Sequence, residues 1–253
     1  MKIEPNNIYL SSCLDMLPKM EDNTVDCVIS SPPYNLGTTV RGNLYADYGD
    51  DLSQDEYYNF MDKVIGELIR VTKYYVFFNF MMVKNNKLAY LKLMDKYKYN
   101  IKDIIIWKKD VCQPAVQPTC LSSAFEFVVV FAKKELAKNR SFERAFFNNR
   151  VKGQFNKNII EGPSASSFEF NTEKGTNKAI FPQYFVRWFL EKFTQEGDIV
   201  LDPFIGTGST ALVCKQMNRK YIGFDISKEY VDISSKRLSQ SNLNAFAEGN
   251  DNG

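Results

Sequence analysis

Short apolar runs alternate with amphipathic stretches along most of the 253-residue chain, and this alternation limits the folds that the chain can adopt. Seven of the runs are nearly continuous in β-branched, aliphatic and aromatic residues, as in strands that are covered on both faces. They lie at Asn7–Ser11, Asp26–Ser30, Tyr74–Phe80, Asp103–Lys108, Phe125–Phe131, Asp198–Asp202 and Lys220–Asp225. The sequence therefore predicts an open α/β fold in which helices lie on both faces of a mostly parallel, seven-stranded sheet.

Helical periodicity fills several of the intervals between these strands. The clearest helix is Ser53–Thr72, because Ser53 and Glu56 have the spacing of a capping box and apolar residues then recur at helical intervals. Further helices are predicted at Asn85–Tyr97, Pro182–Phe193, Thr207–Met217 and Lys228–Ser239. A frayed tail is expected from Ser241 onward.

Composition and charge exclude several classes of function. The net charge of +2 is too small for a uniformly basic nucleic-acid coat, although a local basic patch remains compatible with it. The absence of histidine excludes mixed Cys/His zinc sites and a histidine base, and the five cysteines form no CxxC pair, so no metal site is predicted. No apolar run approaches the roughly 18 residues of a membrane span, and the first residues do not resemble a signal peptide. We therefore expect a cytoplasmic protein without a membrane partner.

One long segment, Lys133–Thr176, breaks the alternation because it has no clean period. Its first part, through Lys157, carries eight basic and two acidic residues, a net charge of +6, with aromatic residues between them. A solvated insertion would explain the charge but would explain the aromatic residues less well, so the segment is predicted to contact nucleic acid. The proposed contacts are Lys133, Lys138, Arg140, Arg144, Arg150 and Lys152.

A glycine turn follows the sixth predicted strand, and an acidic residue ends the strand after it. The turn has the sequence Asp202-Pro203-Phe204-Ile205-Gly206-Thr207-Gly208. Glycines let a ligand approach the backbone closely, and Asp225 at the next strand tip can accept hydrogen bonds from ribose hydroxyls. A nicotinamide dinucleotide, S-adenosylmethionine or a turn without ligand would each fit. Asp202 favours S-adenosylmethionine, because an anion there repels a pyrophosphate and attracts an ammonium, and the 28 residues after Asp225 are too few to complete a dinucleotide-binding domain.

The tetrapeptide Ser31-Pro32-Pro33-Tyr34 directly follows the buried run Asp26–Ser30. Its two prolines fix φ and remove two backbone donors, which leaves a rigid turn with carbonyl acceptors, a hydroxyl and an aromatic ring. Such a set suits an exocyclic amine on a flat heterocycle, since acceptors can take the amine hydrogens while the ring stacks on the base. An ordinary proline turn at the end of a strand is the alternative interpretation.

These two motifs, in this order, resemble those of the DNA amino-methyltransferases of the permuted class called β. In that family a Ser/Asp-Pro-Pro-Tyr motif comes first, then a target-recognition region, then the S-adenosylmethionine motif. The resemblance covers nearly the whole chain and implies a Rossmann-like S-adenosylmethionine methyltransferase fold. It divides the chain into a catalytic half, 1–132, a target-recognition insertion, 133–176, and a cofactor-binding half, 177–253.

The resemblance also implies roles for individual residues. Ser31 and the backbone carbonyl after it would accept the hydrogens of the target amine, and Tyr34 would stack on a base flipped out of the duplex. Ser12 stands where the family usually has an Asp that helps to hold the adenine of the cofactor, so this contact differs here. The implied cofactor contacts are Ser12, Asn177, Ala179, Phe181, Asp202, Pro203, Phe204, Gly206, Thr207, Gly208 and Asp225.

The resemblance predicts transfer of a methyl group from S-adenosylmethionine to the N4 amine of cytosine in double-stranded DNA. Ser-Pro-Pro-Tyr resembles the N4-cytosine members, whereas Asp or Asn at the first position is more usual for N6-adenine, which is the nearest alternative. More distant alternatives are an RNA or free-nucleotide methyltransferase, an inactive DNA-recognition subunit and an NAD-dependent oxidoreductase. A separately encoded restriction endonuclease and a homodimer are the further partners that the resemblance suggests.

Overall fold

The computed structural model describes residues 2–37, 51–110, 119, 121–146, 156–163 and 181–248, with only the backbone described in 241–248. The strands are β1 (Asn7–Leu10), β2 (Val25–Ser30), β3 (Thr72–Phe80), β4 (Ile101–Lys109), β5 (Phe125–Phe131), β6 (Ile159–Gly162), β7 (Ile199–Asp202) and β8 (Lys220–Asp225). The helices are α1 (Cys13–Met16), α2 (Gln54–Val71), α3 (Lys87–Lys96), α4 (Lys134–Ala137), α5 (Gln183–Phe193), α6 (Ser209–Gln216) and α7 (Lys228–Glu248), with a 3-10 helix at Leu17–Lys19.

The described strands form one sheet in the order β1-β8-β7-β2-β3-β5-β4-β6. Strand β5 is antiparallel to both of its neighbours, and every other pair is parallel. The carboxyl ends of the seven parallel strands and the amino end of β5 therefore lie along one edge of the sheet. We call this the carboxyl edge, and the opposite one the amino edge.

The prediction of a mostly parallel α/β sheet is confirmed, but the predicted number of seven strands is wrong. The additional strand, β6, pairs with β4 from Ile106↔Ile159 to Lys109↔Gly162. It has only four residues, and two of them, Ile159 and Glu161, are exposed, so it lacks the continuous apolar run of the other strands. Because β6 lies within 133–176, part of the predicted insertion belongs to the core sheet.

Two apolar layers enclose the sheet, as alternating strand residues require. On β3, Val76 and Phe78 point into the layer that α2 and α3 cover, whereas Tyr75 and Phe77 point into the layer that α5 and α6 cover. Helices on both faces are thus confirmed. None of the described helices has the length and apolar character of a membrane span.

The helix boundaries follow the local signals closely, with one exception at the end of the chain. Ser53 and Glu56 form the predicted capping box at the start of α2, where Glu56 N donates to Ser53 Oγ at 3.3 Å and Ser53 N donates to Glu56 Oε2 at 3.0 Å. The backbone of 241–248 continues α7 to Glu248, and the frayed tail expected from Ser241 stays a prediction. No glycine or proline interrupts 228–248, and Gly249 follows at once.

Candidate active site at the carboxyl edge

The two sequence motifs meet because β2 and β7 are neighbouring parallel strands, paired at Cys27↔Val200 and Val28↔Leu201. At the carboxyl edge, Ser30 Oγ donates a hydrogen bond of 2.7 Å to Asp202 Oδ1, across a separation of 172 residues. Ser30 immediately precedes the Ser-Pro-Pro-Tyr loop, and Asp202 begins the glycine turn. The fold therefore brings both motifs into one site.

The Asp202 carboxylate lies beneath the glycine turn and is 3% exposed. Besides Ser30, it accepts hydrogen bonds from Thr210 Oγ1 at 2.7 Å and from the Phe204 amide at 3.1 Å. Burial raises the pKa of Asp202 to about 6, against the opposing effect of these hydrogen bonds. The group is thus ionised at neutral pH and places a negative charge below the turn, which supports the predicted attraction of an ammonium.

Glycine is required at positions 206 and 208 of the turn for two different structural reasons. Both are left-handed, with φ of 51° at Gly206 and 83° at Gly208. A Cβ at Gly208 would lie 2.7 Å from the Cβ of Ser234, so this glycine lets α6 and α7 pack closely. A Cβ at Gly206 would approach no atom more closely than the Phe204 carbonyl oxygen, at 4.0 Å. Gly206 therefore has open space on the side from which a ligand can approach the backbone.

Asp225 lies at the tip of β8, partly exposed, where the prediction needs a ribose acceptor. Its carboxylate accepts hydrogen bonds from the amides of Gly206, at 2.9 Å, and Ser227, at 2.8 Å. Leu10 and Ile226, at the neighbouring tips of β1 and β8, are 51% and 44% exposed and offer apolar surface to a flat heterocycle. These side chains fit a nucleoside cofactor. Sequence reasoning missed Leu10 and Ile226, although an apolar residue directly after Asp225 was a usable signal.

The remaining predicted cofactor residues have local structural roles. Ser12 Oγ caps α1 by accepting a hydrogen bond of 3.2 Å from the Leu14 amide. Arg237 donates to both the carbonyl and the hydroxyl of Thr207, and the ring of Phe204 lies edge-on to that of Phe60 at 6.1 Å. Phe181 stacks on the ring of Phe185 at 4.8 Å. The predicted contacts Asn177 and Ala179 lie outside the described residues. Cofactor contacts at these positions, and at Pro203, stay predictions.

The Ser-Pro-Pro-Tyr loop is fixed from three directions by residues that sequence reasoning missed. Tyr57 donates to the Pro33 carbonyl at 2.7 Å, and Asn86 Nδ2 donates to the Tyr34 carbonyl at 2.6 Å. Asn35, with a left-handed φ of 57°, is fully buried and links the loop to the start of α2 by two hydrogen bonds with the Leu52 backbone. The Pro32 carbonyl has no hydrogen bond to any described residue, so it is available as an acceptor beside Ser31.

The Tyr34 side chain turns inward and its ring is 7% exposed. Its hydroxyl lies 2.8 Å from Ser31 Oγ, 2.6 Å from Asn79 Nδ2 and 2.9 Å from Glu126 Oε2. Glu126 is 5% exposed and forms an ion pair with Lys109. Stacking of Tyr34 on a base stays a prediction, whereas the structure shows a polar network that begins at Ser31.

The described part of the predicted DNA-binding segment lies at the amino edge, away from Ser31. Because β5 is inverted, Phe131 ends it at that edge, and Lys133 beyond it bonds to Asn23, which precedes β2. The guanidinium of Arg144 pairs with Asp198 at 2.8 Å, and its role as a phosphate contact stays a prediction. The predicted DNA contacts Lys133, Lys138 and Arg140 also lie in this amino-edge segment, while Arg150 and Lys152 lie outside the described residues. Because Ser31 lies at the opposite edge of the sheet, the location of this segment does not support DNA contacts next to the target base.

No thiol nucleophile is presented at the site by the described cysteines. Cys13, Cys27 and Cys214 are free and buried, and burial raises the pKa of Cys13 to about 12. The other two, Cys112 and Cys120, lie outside the described residues. Across the described ranges, no group of three or more His, Cys, Asp or Glu side chains could hold a metal ion.

Cofactor binding should depend on the ionisation of Asp202. With its pKa at about 6, wild-type affinity for S-adenosylhomocysteine should rise between about pH 5 and pH 7, because the ammonium of this ligand favours the ionised carboxylate. Asp202→Asn keeps an acceptor for Ser30 and Phe204 but carries no charge, so it should bind more weakly at pH 7 and show no such rise. Titration calorimetry at both pH values measures this, and identical pH dependence in the two proteins would contradict the assigned role.

The stability of the wild-type protein should change in the opposite direction over a range about one pH unit lower. An Asp with a raised pKa binds more protons in the folded than in the unfolded protein, so its contribution to stability falls as the pH rises from about 4 to about 6. Relative to the wild type, Asp202→Asn should therefore gain stability across this window and then stay level. Urea unfolding at several pH values provides the control that separates folding from ligand binding.

Comparisons with known proteins agree with this geometry. The N6/N4 methyltransferase family model, described as DNA methylase, matches residues 25–236. The chain is 28% identical to the type II methyltransferase M.HpaI of Haemophilus parainfluenzae, over 94% of this chain and 76% of that protein. It is 26% identical to the DNA adenine methyltransferase YhdJ of Escherichia coli K12, over 93% and 83% of the two chains. Among solved structures, the cytosine-N4-specific PvuII DNA methyltransferase superposes with a TM-score of 0.70 at 18% identity, covering 94% of this chain and 87% of that one. The M1.HpyAVI–SAM complex superposes with a TM-score of 0.58 at 21% identity, covering 92% and 99%.

Proposed function

The chain belongs to the N6/N4 DNA methylase family, and on that premise we propose that it methylates the N4 amine of cytosine in double-stranded DNA. The cofactor is S-adenosylmethionine, which supplies an electrophilic methyl group when bound. Membership of this family sets aside the NAD-dependent oxidoreductase. A separately encoded restriction endonuclease is a further proposal, supported by relatives named as type II methyltransferases.

The observation that carries the proposal is the hydrogen bond between Ser30 and Asp202. It fixes the amine-binding loop directly beside the turn at which the cofactor is proposed to bind. Asp225 orients the ribose and the Asp202 charge attracts the ammonium, so the chain itself determines where the cofactor lies. Holding two reactants in one orientation removes much of the entropic barrier to their reaction.

On the substrate side, Ser31 Oγ and the Pro32 carbonyl accept hydrogen bonds from the target amine. The lone pair of such an amine is delocalised into the ring, which makes the nitrogen a poor nucleophile. Two acceptors that hold its hydrogens favour a pyramidal nitrogen with its lone pair directed out of the ring plane. Ser31 is partly exposed, whereas the rest of the loop through Asn35 is buried, so the acceptors face the site from a rigid support.

Cytosine is proposed as the target base because serine occupies position 31, the position at which the resemblance separates N4-cytosine from N6-adenine members. Adenine is the second candidate, since the similar YhdJ is named a DNA adenine methyltransferase. The two amines have equivalent hydrogen-bonding groups, so both fit Ser31 and Pro32.

Nucleoside mass spectrometry of DNA incubated with the protein and S-adenosylmethionine tests the base. N4-methylcytosine is the expected product. N6-methyladenine alone would overturn the choice of base but keep the reaction, and unmodified DNA of diverse sequence would contradict the proposed function. Duplex RNA and free nucleotides, run in parallel, test the other substrate classes and should stay unmodified.

The carboxyl edge is proposed as the DNA-facing surface, since a flipped base must reach Ser31 from there. Lys84, in the connection between β3 and α3, and Lys87, the first residue of α3, are exposed at this edge. Asn86, between them in the chain, binds the Tyr34 carbonyl, so the two lysines are held close to the catalytic loop. They replace the amino-edge segment as proposed phosphate contacts.

Removing Lys84 and Lys87 together should weaken DNA binding and flatten its salt dependence. Each lost phosphate contact reduces the log–log slope by about 1, so the double alanine variant should lose about 2. The matched control is Lys138→Ala with Arg140→Ala, which removes two exposed charges at the amino edge. Fluorescence anisotropy across a salt series measures both slopes. If the slope flattens in the control and not in the Lys84/Lys87 variant, DNA contacts the basic amino-edge segment and not Lys84 and Lys87.

A further inference from the structure

We propose that Glu126, acting through Tyr34, fixes the proton of Ser31 and receives the proton that the target amine loses. The inference deepens the proposed function and rests on it. It concerns a chain of hydrogen bonds that runs from the loop, through the hydroxyl of Tyr34, to a buried carboxylate at the amino end of β5.

The hydrogen-bond donors in this chain can be assigned one by one. Paired with Lys109, Glu126 is a carboxylate and only accepts, so the Tyr34 hydroxyl must donate to Oε2 across 2.9 Å. That donation uses the single hydroxyl hydrogen of Tyr34, whose oxygen must then accept from Ser31 Oγ at 2.8 Å. The Ser31 hydrogen therefore points away from the substrate. Its lone pairs are left to accept from the amine.

Asn79 on β3 makes this assignment stricter. Its Nδ2 donates to the Tyr34 oxygen at 2.6 Å and to Glu126 Oε2 at 2.7 Å. Flipping the amide would place its oxygen against the carboxylate, so Nδ2 must face the network. The Tyr34 oxygen thus accepts from Asn79 and Ser31 while donating to Glu126, and its direction of donation is fixed.

The hydrogen-bonded side chains around Glu126 are buried, and the partly exposed ammonium of Lys109 links them to solvent. Asn79 is 1% and Glu126 5% exposed, whereas the side chain of Lys109 on β4 is 18% exposed. Among the described residues, the groups that face the Glu126 carboxylate are Lys109 from β4, Asn79 from β3 and Tyr34 from the loop. A buried carboxylate is costly unless it is paired and hydrogen-bonded, and these three groups supply an ion pair and two hydrogen bonds.

Proton transfer along this chain balances the reaction. The amine nitrogen forms a bond to the methyl carbon, the carbon–sulfur bond breaks with its electron pair going to sulfur, and the nitrogen becomes cationic. An N–H proton then moves to Ser31 Oγ as the Ser31 proton moves to Tyr34 and the Tyr34 proton moves to Glu126. The products are the neutral N-methylated base, S-adenosylhomocysteine and protonated Glu126. Glu126 returns its proton to water after product release.

Glu126→Gln tests the proposal, with single-turnover methyl transfer as the readout. The variant should lose at least tenfold in rate, since a positioned base contributes about 10²–10⁴-fold, while its dissociation constants for S-adenosylhomocysteine and DNA stay unchanged. The loss should therefore appear in the rate of the chemical step and not in binding. A purely structural role would weaken binding together with the rate.

Two further variants keep the test decisive. Tyr34→Phe retains the ring but breaks the chain of hydrogen bonds. It should show the same loss of rate with unchanged binding, and it remains informative if Glu126→Gln fails to fold. Glu161→Gln is the matched control, because Glu161 is an exposed carboxylate paired with Lys108 at 3.0 Å, and it should behave as wild type. Unchanged rates in folded Glu126→Gln or Tyr34→Phe would overturn the inference. An inactive wild type would instead overturn the proposed function.

Discussion

Ser31→Ala should reduce the single-turnover rate of methyl transfer by about 10²–10³-fold, as removal of one positioned hydrogen-bonding group from a transition state typically does. The alanine cannot accept from the amine, and it cuts the link between the amine and Tyr34. Stability should change little, because Ser31 is only partly buried and Tyr34 keeps its bonds to Asn79 and Glu126. Rapid quench with labelled cofactor measures the rate.

Cofactor affinity is the control for this variant. S-adenosylhomocysteine should bind Ser31→Ala as it binds wild type, because the described partner of the Ser31 hydroxyl is Tyr34 and not a residue of the glycine turn. A variant that loses affinity and rate in equal proportion would show that Ser31 acts on the cofactor, and the assignment to the amine would then be wrong.

Asp225→Ala should weaken the binding of S-adenosylhomocysteine by about 5- to 150-fold, the equivalent of about 1–3 kcal/mol for hydrogen bonds to a charged group. The carboxylate is proposed to accept from the ribose hydroxyls, and it also holds the amides of Gly206 and Ser227. Both effects act on the same site, so affinity should fall well before the fold is lost. Calorimetry with S-adenosylhomocysteine gives the value directly.

Asp232→Ala is the matched control for Asp225→Ala. Asp232 is an exposed carboxylate on α7 that pairs with Lys228 at 2.6 Å, away from the glycine turn. It should leave affinity unchanged. If folded Asp225→Ala binds S-adenosylhomocysteine as tightly as wild type does, Asp225 does not bind the ribose.

The sequence predicts most of the sheet and both motifs, because both depend on local patterns. Buried parallel strands are continuous apolar runs, and a capping box such as Ser53 with Glu56 is a spacing of three residues. Ser31 follows such a run and Asp202 ends one, and the carboxyl ends of parallel strands share an edge. Neither step needs a contact between distant residues.

The failures have the opposite origin. The inversion of β5 carries Lys133 to the amino edge, and no residue within Phe125–Phe131 signals the strand direction. Arg144 pairs with Asp198, which lies 54 residues further along the chain. The contacts of Tyr57, Asn79 and Asn86 with the loop join residues 24 to 52 positions apart, which local periodicity cannot show. Glu126 did leave a signal, as the one charged residue in an otherwise apolar run.

The central claim is that Ser31 and the glycine turn form one site for methyl transfer to an amine of DNA. Incubation of DNA with the protein and S-adenosylmethionine carrying a deuterated methyl group tests it most directly, with tandem mass spectrometry of the digested nucleosides. We expect the intact deuterated methyl group on an exocyclic nitrogen with wild-type protein and not with Ser31→Ala. A label on a ring carbon, or equal labelling by both proteins, would contradict it.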